Sequence, residues 1–320
     1  MRGPSVLVIG TGSIGCCYVY LLTKGGCKVT AVCRSNYDAI SSSGIHIQSP
    51  EHVWGNVHCT PHRVVRKTQE CQETFDYVLV CAKTFPERAS FVEDIRPVLG
   101  KDTLIVLIQN GIGIEEPYQA AFPGQVISGV VYLPVSQPQP GHCSVKGPDI
   151  LELGTFPASP PPPSLKRLES RLLAGGAHVA CFEDIQARRW KKSIINACWN
   201  PLAALCLNTD SDFIHCHPEA PNVLRATMHE VAAVATKLGY PLGDAEIEEQ
   251  VTRAFTRAKH GTGIKMSMLA DVENGSPMEV EAVVGNIVRI AREQGIQTPR
   301  LEMLWMLAHA KDQHLTGKKQ

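Results

Sequence analysis

The chain has 320 residues, 44% of them hydrophobic, and its 31 basic residues are matched by 31 acidic ones. This composition is enough for two domains with real cores and excludes a disordered chain. With charge balanced and Arg and Lys scattered, nothing points to nucleic acid or an anionic membrane surface, and no apolar run approaches bilayer length.

Residues 6–9 (Val-Leu-Val-Ile) form a short apolar run that ends in Gly10-Thr11-Gly12-Ser13-Ile14-Gly15. The run predicts a buried parallel strand, and the G-x-G-x-x-G spacing predicts a phosphate-binding turn. Gly10 permits the tight corner, Gly12 lets backbone approach a pyrophosphate, and Gly15 lets the next helix pack on the sheet. An amphipathic stretch over 13–24, the Gly25-Gly26 break and a second strand over 28–33 complete a β-α-β unit. At the end of that second strand an enzyme using NAD would place a carboxylate for the ribose. Here stands Arg34, nineteen residues after Gly15. A guanidinium pairs with a 2′-phosphate, so the predicted cofactor is NADP(H).

Further strands are predicted at 77–81, 103–108, 126–133, 150–153 and 178–181, separated by helices over 85–98 and 165–173. The Pro160 to Pro163 tract reads as a stiff surface loop inside this first domain. Beyond residue 185 strand signals vanish, and helices are predicted over 185–207, 222–238, 245–259 and 277–294. The expected architecture is α/β: a Rossmann-type parallel-sheet domain over 1–185 followed by an all-α domain over 186–320, with a cleft between them as the usual place for a small-molecule site. None of the twelve cysteines has C-x-x-C spacing, and residues such as Cys33, Cys81, Cys181, Cys198 and Cys206 lie in apolar runs. They read as small buried hydrophobes of a reducing compartment. His215-Cys216-His217 is too compact to converge on one ion, so no metal is expected. The start Met-Arg-Gly-Pro leads directly into the first strand, which predicts a cytoplasmic protein without a signal peptide. The expected partners are a small-molecule substrate and, at most, a second copy in a homodimer.

The richest chemistry lies in Trp190-Lys191-Lys192-Ser193-Ile194-Ile195-Asn196-Ala197-Cys198-Trp199-Asn200-Pro201-Leu202. Helical phase puts Lys192, Asn196 and Asn200 on one face, and their neighbours are apolar or small. A buried polar stripe needs partners, which a substrate would supply. The alternative is that Lys192 emerges into solvent and the asparagines satisfy nearby backbone. Lys191 competes for the same role but is out of phase with the asparagines. Ser276-Pro277-x-Glu279 reads as a capping box with proline at the first helical position, so Glu279 either caps a helix, serves a ligand, or does both. Asn110, in Gln109-Asn110-Gly111, and Lys83 follow predicted strand ends and occupy the rim where ligands bind open α/β sheets.

Together these residues resemble the ketopantoate reductases (2-dehydropantoate 2-reductases), which use NADPH. The resemblance covers nearly the whole chain. It rests on the glycine turn, Arg34, Lys83, Gln109-Asn110-Gly111, the Lys192/Asn196/Asn200-Pro201-Leu202 helix, and Ser267-Met268-Leu269 with Glu279 twelve residues after Ser267. It implies reduction of a small 2-oxo acid, 2-dehydropantoate in the family's reaction, with Lys192 as proton donor and Glu279 beside the reacting centre. It further implies Asn110 at both nicotinamide ribose and substrate, Asn196, Asn200 and Ser267 on the substrate, and Val135 passing backbone near the cofactor. Where the family tends to carry an Asn, this chain has Asp210. A carboxylate there would repel a substrate carboxylate, which leaves open a reductase for another ketone. A non-catalytic NADPH sensor is the other alternative, although a sensor has no need of the lysine.

Overall fold

The computed structural model describes residues 3–85 and 91–317. Its strands, in chain order, are β1 (Ser5–Ile9), β2 (Lys28–Val32), β3 (Ile45–Gln48), β4 (Val57–Cys59), β5 (Arg63–Val65), β6 (Phe75–Val80), β7 (Leu99–Leu107), β8 (Val126–Tyr132), β9 (Val135–Gln139), β10 (His142–Val145), β11 (Ile150–Thr155) and β12 (Val179–Phe182). Among them run helices α1 (Ser13–Lys24), α2 (Tyr37–Ser43), α3 (Val92–Ile95), α4 (Glu116–Ala121) and α5 (Pro163–Gly175).

The chain separates into two compact units. One holds most of the residues before 186; the other holds Asn110–Gly113 and everything from Gln186 onward. In the first, an eight-stranded sheet has the order β12-β11-β8-β7-β6-β1-β2-β5. The run from β5 to β8 is parallel throughout, and β11 joins β8 antiparallel. Its central strands β1 and β6 are buried on both faces, which is why they read as unbroken Val/Leu/Ile runs rather than alternating ones. This is the Rossmann-type arrangement, with β1 and its glycine turn near the middle.

A second, four-stranded sheet of order β4-β3-β10-β9 was not legible beforehand. Its strands are three to five residues long, and its central pairing joins β3 to β10 across about a hundred residues of chain. Neither fact leaves a local pattern to read. Of the helix expected over 85–98, residues 86–90 lie outside the described ones; among the described residues Val92–Ile95 is α-helical and a 3-10 turn over Arg96–Val98 holds Pro97. Pro163 opens α5 at its first turn, where its missing N–H costs no hydrogen bond.

The second unit is helical, with no strand among its described residues: α6 (Gln186–Cys206), α7 (Asp210–His215), α8 (Ala220–Lys237), α9 (Asp244–Lys259), α10 (Ser267–Glu273), a π-helical segment (Glu281–Gly285) continuing as α11 (Asn286–Glu293), and α12 (Pro299–Thr316). Trp190, Trp199, Met228, Val284 and Ile287 centre its core, and Trp199 meets Phe213 edge to face at 5.9 Å. Three of these helices escaped the periodicity reading. For α12 the reason is physical: Leu301, Leu304 and Ala308 are buried while Met303, Met306 and Leu307 are exposed, so apolar side chains surround the helix and mark no single face. Cys206 also departs from expectation, because it sits at the end of α6 and is exposed.

Candidate active site

The glycine turn is built as its spacing requires. Gly10 has φ +85, and a Cβ there would lie 2.5 Å from the Ala82 nitrogen; a Cβ on Gly15 would lie 2.0 Å from the Gly10 oxygen. Gly12 is different, since a Cβ on it would meet nothing within 4 Å among the described residues. Two of the glycines are thus demanded by the protein's own packing, whereas the middle one, the N-cap of α1, borders open space among the described residues. The Thr11 carbonyl is braced from three directions. Asn36 Nδ2 donates to it at 2.5 Å, Gln137 Nε2 at 3.4 Å and Cys16 Sγ at 3.2 Å. Contact with Cys143, and then burial, push the Cys16 thiol's pKa up, so it stays protonated as this bond requires. Ser13 and Ile14 open α1 partly exposed.

Arg34 lies just past β2 and is exposed, and among the described residues no carboxylate forms an ion pair with it. Lys83 is exposed beyond the end of β6. Val135 opens β9 in register with Val145, and its side chain packs against the first unit's core.

On α6 the two adjacent lysines diverge. Lys191 Nζ lies 3.6 Å from Glu249 Oε2 on the exposed side, whereas Lys192 Nζ donates to Asn110 Oδ1 at 2.8 Å and is partly buried. Asn196 follows one turn later, and buried Asn200 accepts from Ser267 Oγ at 3.3 Å. The lysine and both asparagines thus fall along one stretch of α6, and Ser267 opens α10, which packs beside it.

Asn110 is held by residues that no motif or spacing singles out. Buried Arg189, three residues before Lys192, donates to the Gly111 carbonyl at 2.9 Å; Asn286 Nδ2 donates to the Ile112 carbonyl at 2.6 Å; and Ile112 N donates to the Ala282 carbonyl at 3.2 Å. Gly111 has φ +108, and a Cβ on it would come within 2.4 Å of that same Ala282 oxygen. Ala282 belongs to the π-helical segment, a distortion frequent at functional sites. Spacing between 110, 189 and 282 carries no local signal, so only the fold reveals this clamp.

Two expectations need correcting. The capping box at Ser276 does not form: residues 276–279 precede the helix, Met278 N donates to Asp312 Oδ1 at 2.7 Å, and the Glu279 carbonyl accepts the helical bond from Val283 N. Glu279 is buried at the helix entrance rather than one turn inside it. Asp210 offers no carboxylate to a substrate. It is fully buried, paired with Arg257, and accepts from Ile264 N at 2.7 Å and Ser211 N at 2.9 Å. Its neighbours explain why: Thr209 and Asp212 form a capping box that starts α7, which places Asp210 in the first turn facing α9. The Thr209-x-x-Asp212 spacing was the available signal. As for His215, Cys216 and His217, the two imidazoles bond local backbone, and among the described residues no group of three His, Cys, Asp or Glu is arranged to hold a metal ion.

Two family models match the chain: Ketopantoate reductase PanE/ApbA over residues 6–158 and Ketopantoate reductase PanE/ApbA C terminal over residues 184–312. The chain belongs to the ketopantoate reductase family. An uncharacterized protein of Saccharomyces cerevisiae is 30% identical over 94% of this chain and 92% of its own length. A 2-dehydropantoate 2-reductase of Nostoc sp. is 24% identical over 95% and 94%. The crystal structure of 2-dehydropantoate 2-reductase from Methylococcus capsulatus superimposes with a TM-score of 0.86 at 35% identity, covering 98% of both chains. The protein is accordingly an NADP-dependent oxidoreductase acting on a CH–OH/C=O couple. Its residues fit that cofactor: Gly12 leaves room for a pyrophosphate at the start of α1, and Arg34 is exposed just past β2, with no carboxylate paired to it among the described residues.

Proposed function

We propose that the protein reduces a small 2-oxo acid, 2-dehydropantoate, to the 2-hydroxy acid pantoate, with Lys192 as proton donor. The observation that carries this reading is the 2.8 Å bond from Lys192 Nζ to Asn110 Oδ1, on the same face of α6 as Asn196 and Asn200. The ammonium donates to Asn110, which aims the group. When bound, the nicotinamide supplies a hydride from C4 to the carbonyl carbon. Negative charge then develops on the carbonyl oxygen. Lys192 stabilises that charge and transfers a proton to the oxygen, becoming a neutral amine that solvent reprotonates.

In this reading Asn196, Asn200 and Ser267 bind the substrate's hydroxyl and carboxylate, and Asn110 serves substrate and nicotinamide ribose. The buried Glu279 carboxylate stands beside the reacting centre. Gly10, Thr11, Gly12, Ser13, Ile14 and Gly15 cradle the pyrophosphate, Arg34 and Lys83 take the adenosine side, and Val135 contributes backbone. The first unit is then the cofactor domain and the helical unit the substrate domain. Burial of Asp210 against Arg257 removes the repulsion that argued for a different ketone.

The test is NADPH oxidation by the full chain with 2-dehydropantoate beside a panel of other 2-oxo acids, aliphatic and aromatic. The reading expects 2-dehydropantoate to give the highest kcat/KM. A higher value for another acid would transfer the assignment to that acid, and no turnover with any of them would favour a nucleotide sensor.

A further inference from the structure

β5 pairs with β2 at the edge of the large sheet, with Val32 opposite Val65 and Cys33 N donating to the Val65 carbonyl at 2.8 Å. The two segments therefore leave the sheet side by side, and each bears an arginine within two residues of that last pair: Arg34 after β2 and Arg66 after β5. The Arg66 guanidinium carbon lies 3.9 Å from the centroid of the Tyr37 ring, and its Nη2 donates to Asp38 Oδ1 at 2.8 Å. Tyr37 and Asp38 begin α2 after the two-residue link Ser35-Asn36, and the Arg34 carbonyl accepts from Tyr37 N at 3.3 Å. Glu70 is occupied by the Arg66 backbone N–H. The Arg66 side chain remains 54% exposed and that of Asp38 85%, so their ion pair adds little to stability.

We propose that Arg66 is a second cation of the adenosine 2′-phosphate pocket. This rests on the reading of Arg34 as the group that meets the 2′-phosphate. A guanidinium with one face on a tyrosine ring offers its other face to a second flat π-system, and adenine is such a system. The 2′-phosphate hangs from the ribose next to the adenine, so a cation stacked on the base also lies beside the phosphate. That phosphate carries nearly two negative charges, of which Arg34 balances one. Asp38 holds Arg66 in place in the free protein and competes with the phosphate for it.

Titration calorimetry on the full chain tests this with two probes that differ only in the phosphate concerned, adenosine 2′,5′-bisphosphate and adenosine 5′-monophosphate. The parent protein is expected to prefer the bisphosphate. Arg66→Ala should shrink that preference about tenfold, as loss of a charge-assisted contact does. Arg66→Lys should keep most of the preference yet weaken both probes a few-fold, because an ammonium stacks poorly. Asp38→Asn should tighten the bisphosphate a few-fold. An unchanged preference in Arg66→Ala, with collapse in Arg34→Ala, would overturn the role of Arg66 and leave the cofactor assignment standing. Weaker binding in Asp38→Asn would mean that the pair acts only as a brace, which also overturns the proposal. A parent without any preference for the bisphosphate would remove the reading of Arg34 itself.

Discussion

The glycine turn and the Asn110 loop are built in opposite ways. Around Gly10–Gly15 the requirement is for missing atoms: two glycines are forced by backbone contacts within a few residues or on the adjoining strand end, and the third is left facing open space. Around Asn110 the requirement is for added atoms. Arg189, Ala282 and Asn286, drawn from α6 and from the π-helix and its continuation, hold one four-residue segment so that Lys192 finds its partner. A motif made by removing side chains leaves a short, readable signature. A site made by converging side chains does not.

Five substitutions break or sharpen that contrast. Gly15→Ala should be the most damaging, because its Cβ would overlap the Gly10 carbonyl; a stability loss of about 3 kcal/mol or more is expected by denaturant titration. Its counterpart Gly12→Ala should fold with stability within about 0.5 kcal/mol of the parent, since nothing stands near the new methyl group, while losing at least about tenfold in NADPH affinity. Equal stability losses for the two would erase the distinction between packing glycines and the ligand glycine.

Asp210→Asn tests the helical unit. It leaves Arg257 without its buried counter-charge and should lower stability by roughly 3 kcal/mol, with the substrate KM unchanged. A lower KM would instead place the carboxylate in the substrate site. Arg189→Met removes the donor to the Gly111 carbonyl, loosens Asn110, and should reduce kcat about tenfold while NADPH binding holds. Smallest is Lys191→Ala: its ion pair with Glu249 is well exposed, so stability should move by less than about 0.5 kcal/mol and kcat hardly at all.

Much of the first unit was readable because its determinants are local. The β1 run, the glycine turn, α1 and β2 form one contiguous unit, and their boundaries fall within a residue or two of those expected. The phase argument on α6 also separated Lys192 from Lys191, since a single helix fixes which side chains share a face. What escaped depends on distant pairing or on context. The β3–β10 ladder joins strands too short to show a period, and α12 is apolar on every side. Asp210 looked like a changed ligand residue because its number matched a family position, while its partner Arg257 lies 47 residues away in sequence. Glu279 sat in a valid capping pattern that yielded to Asp312, which takes the Met278 amide instead.

The central claim is that Lys192 gives the proton to the nascent alkoxide. The direct measurement is single-turnover reduction of 2-dehydropantoate by pre-bound NADPH in Lys192→Ala and Lys191→Ala beside the parent. The account predicts a fall of about a thousandfold in the hydride-transfer rate for Lys192→Ala, with NADPH affinity retained, and the parent rate for Lys191→Ala. A parent-like rate in Lys192→Ala would contradict it.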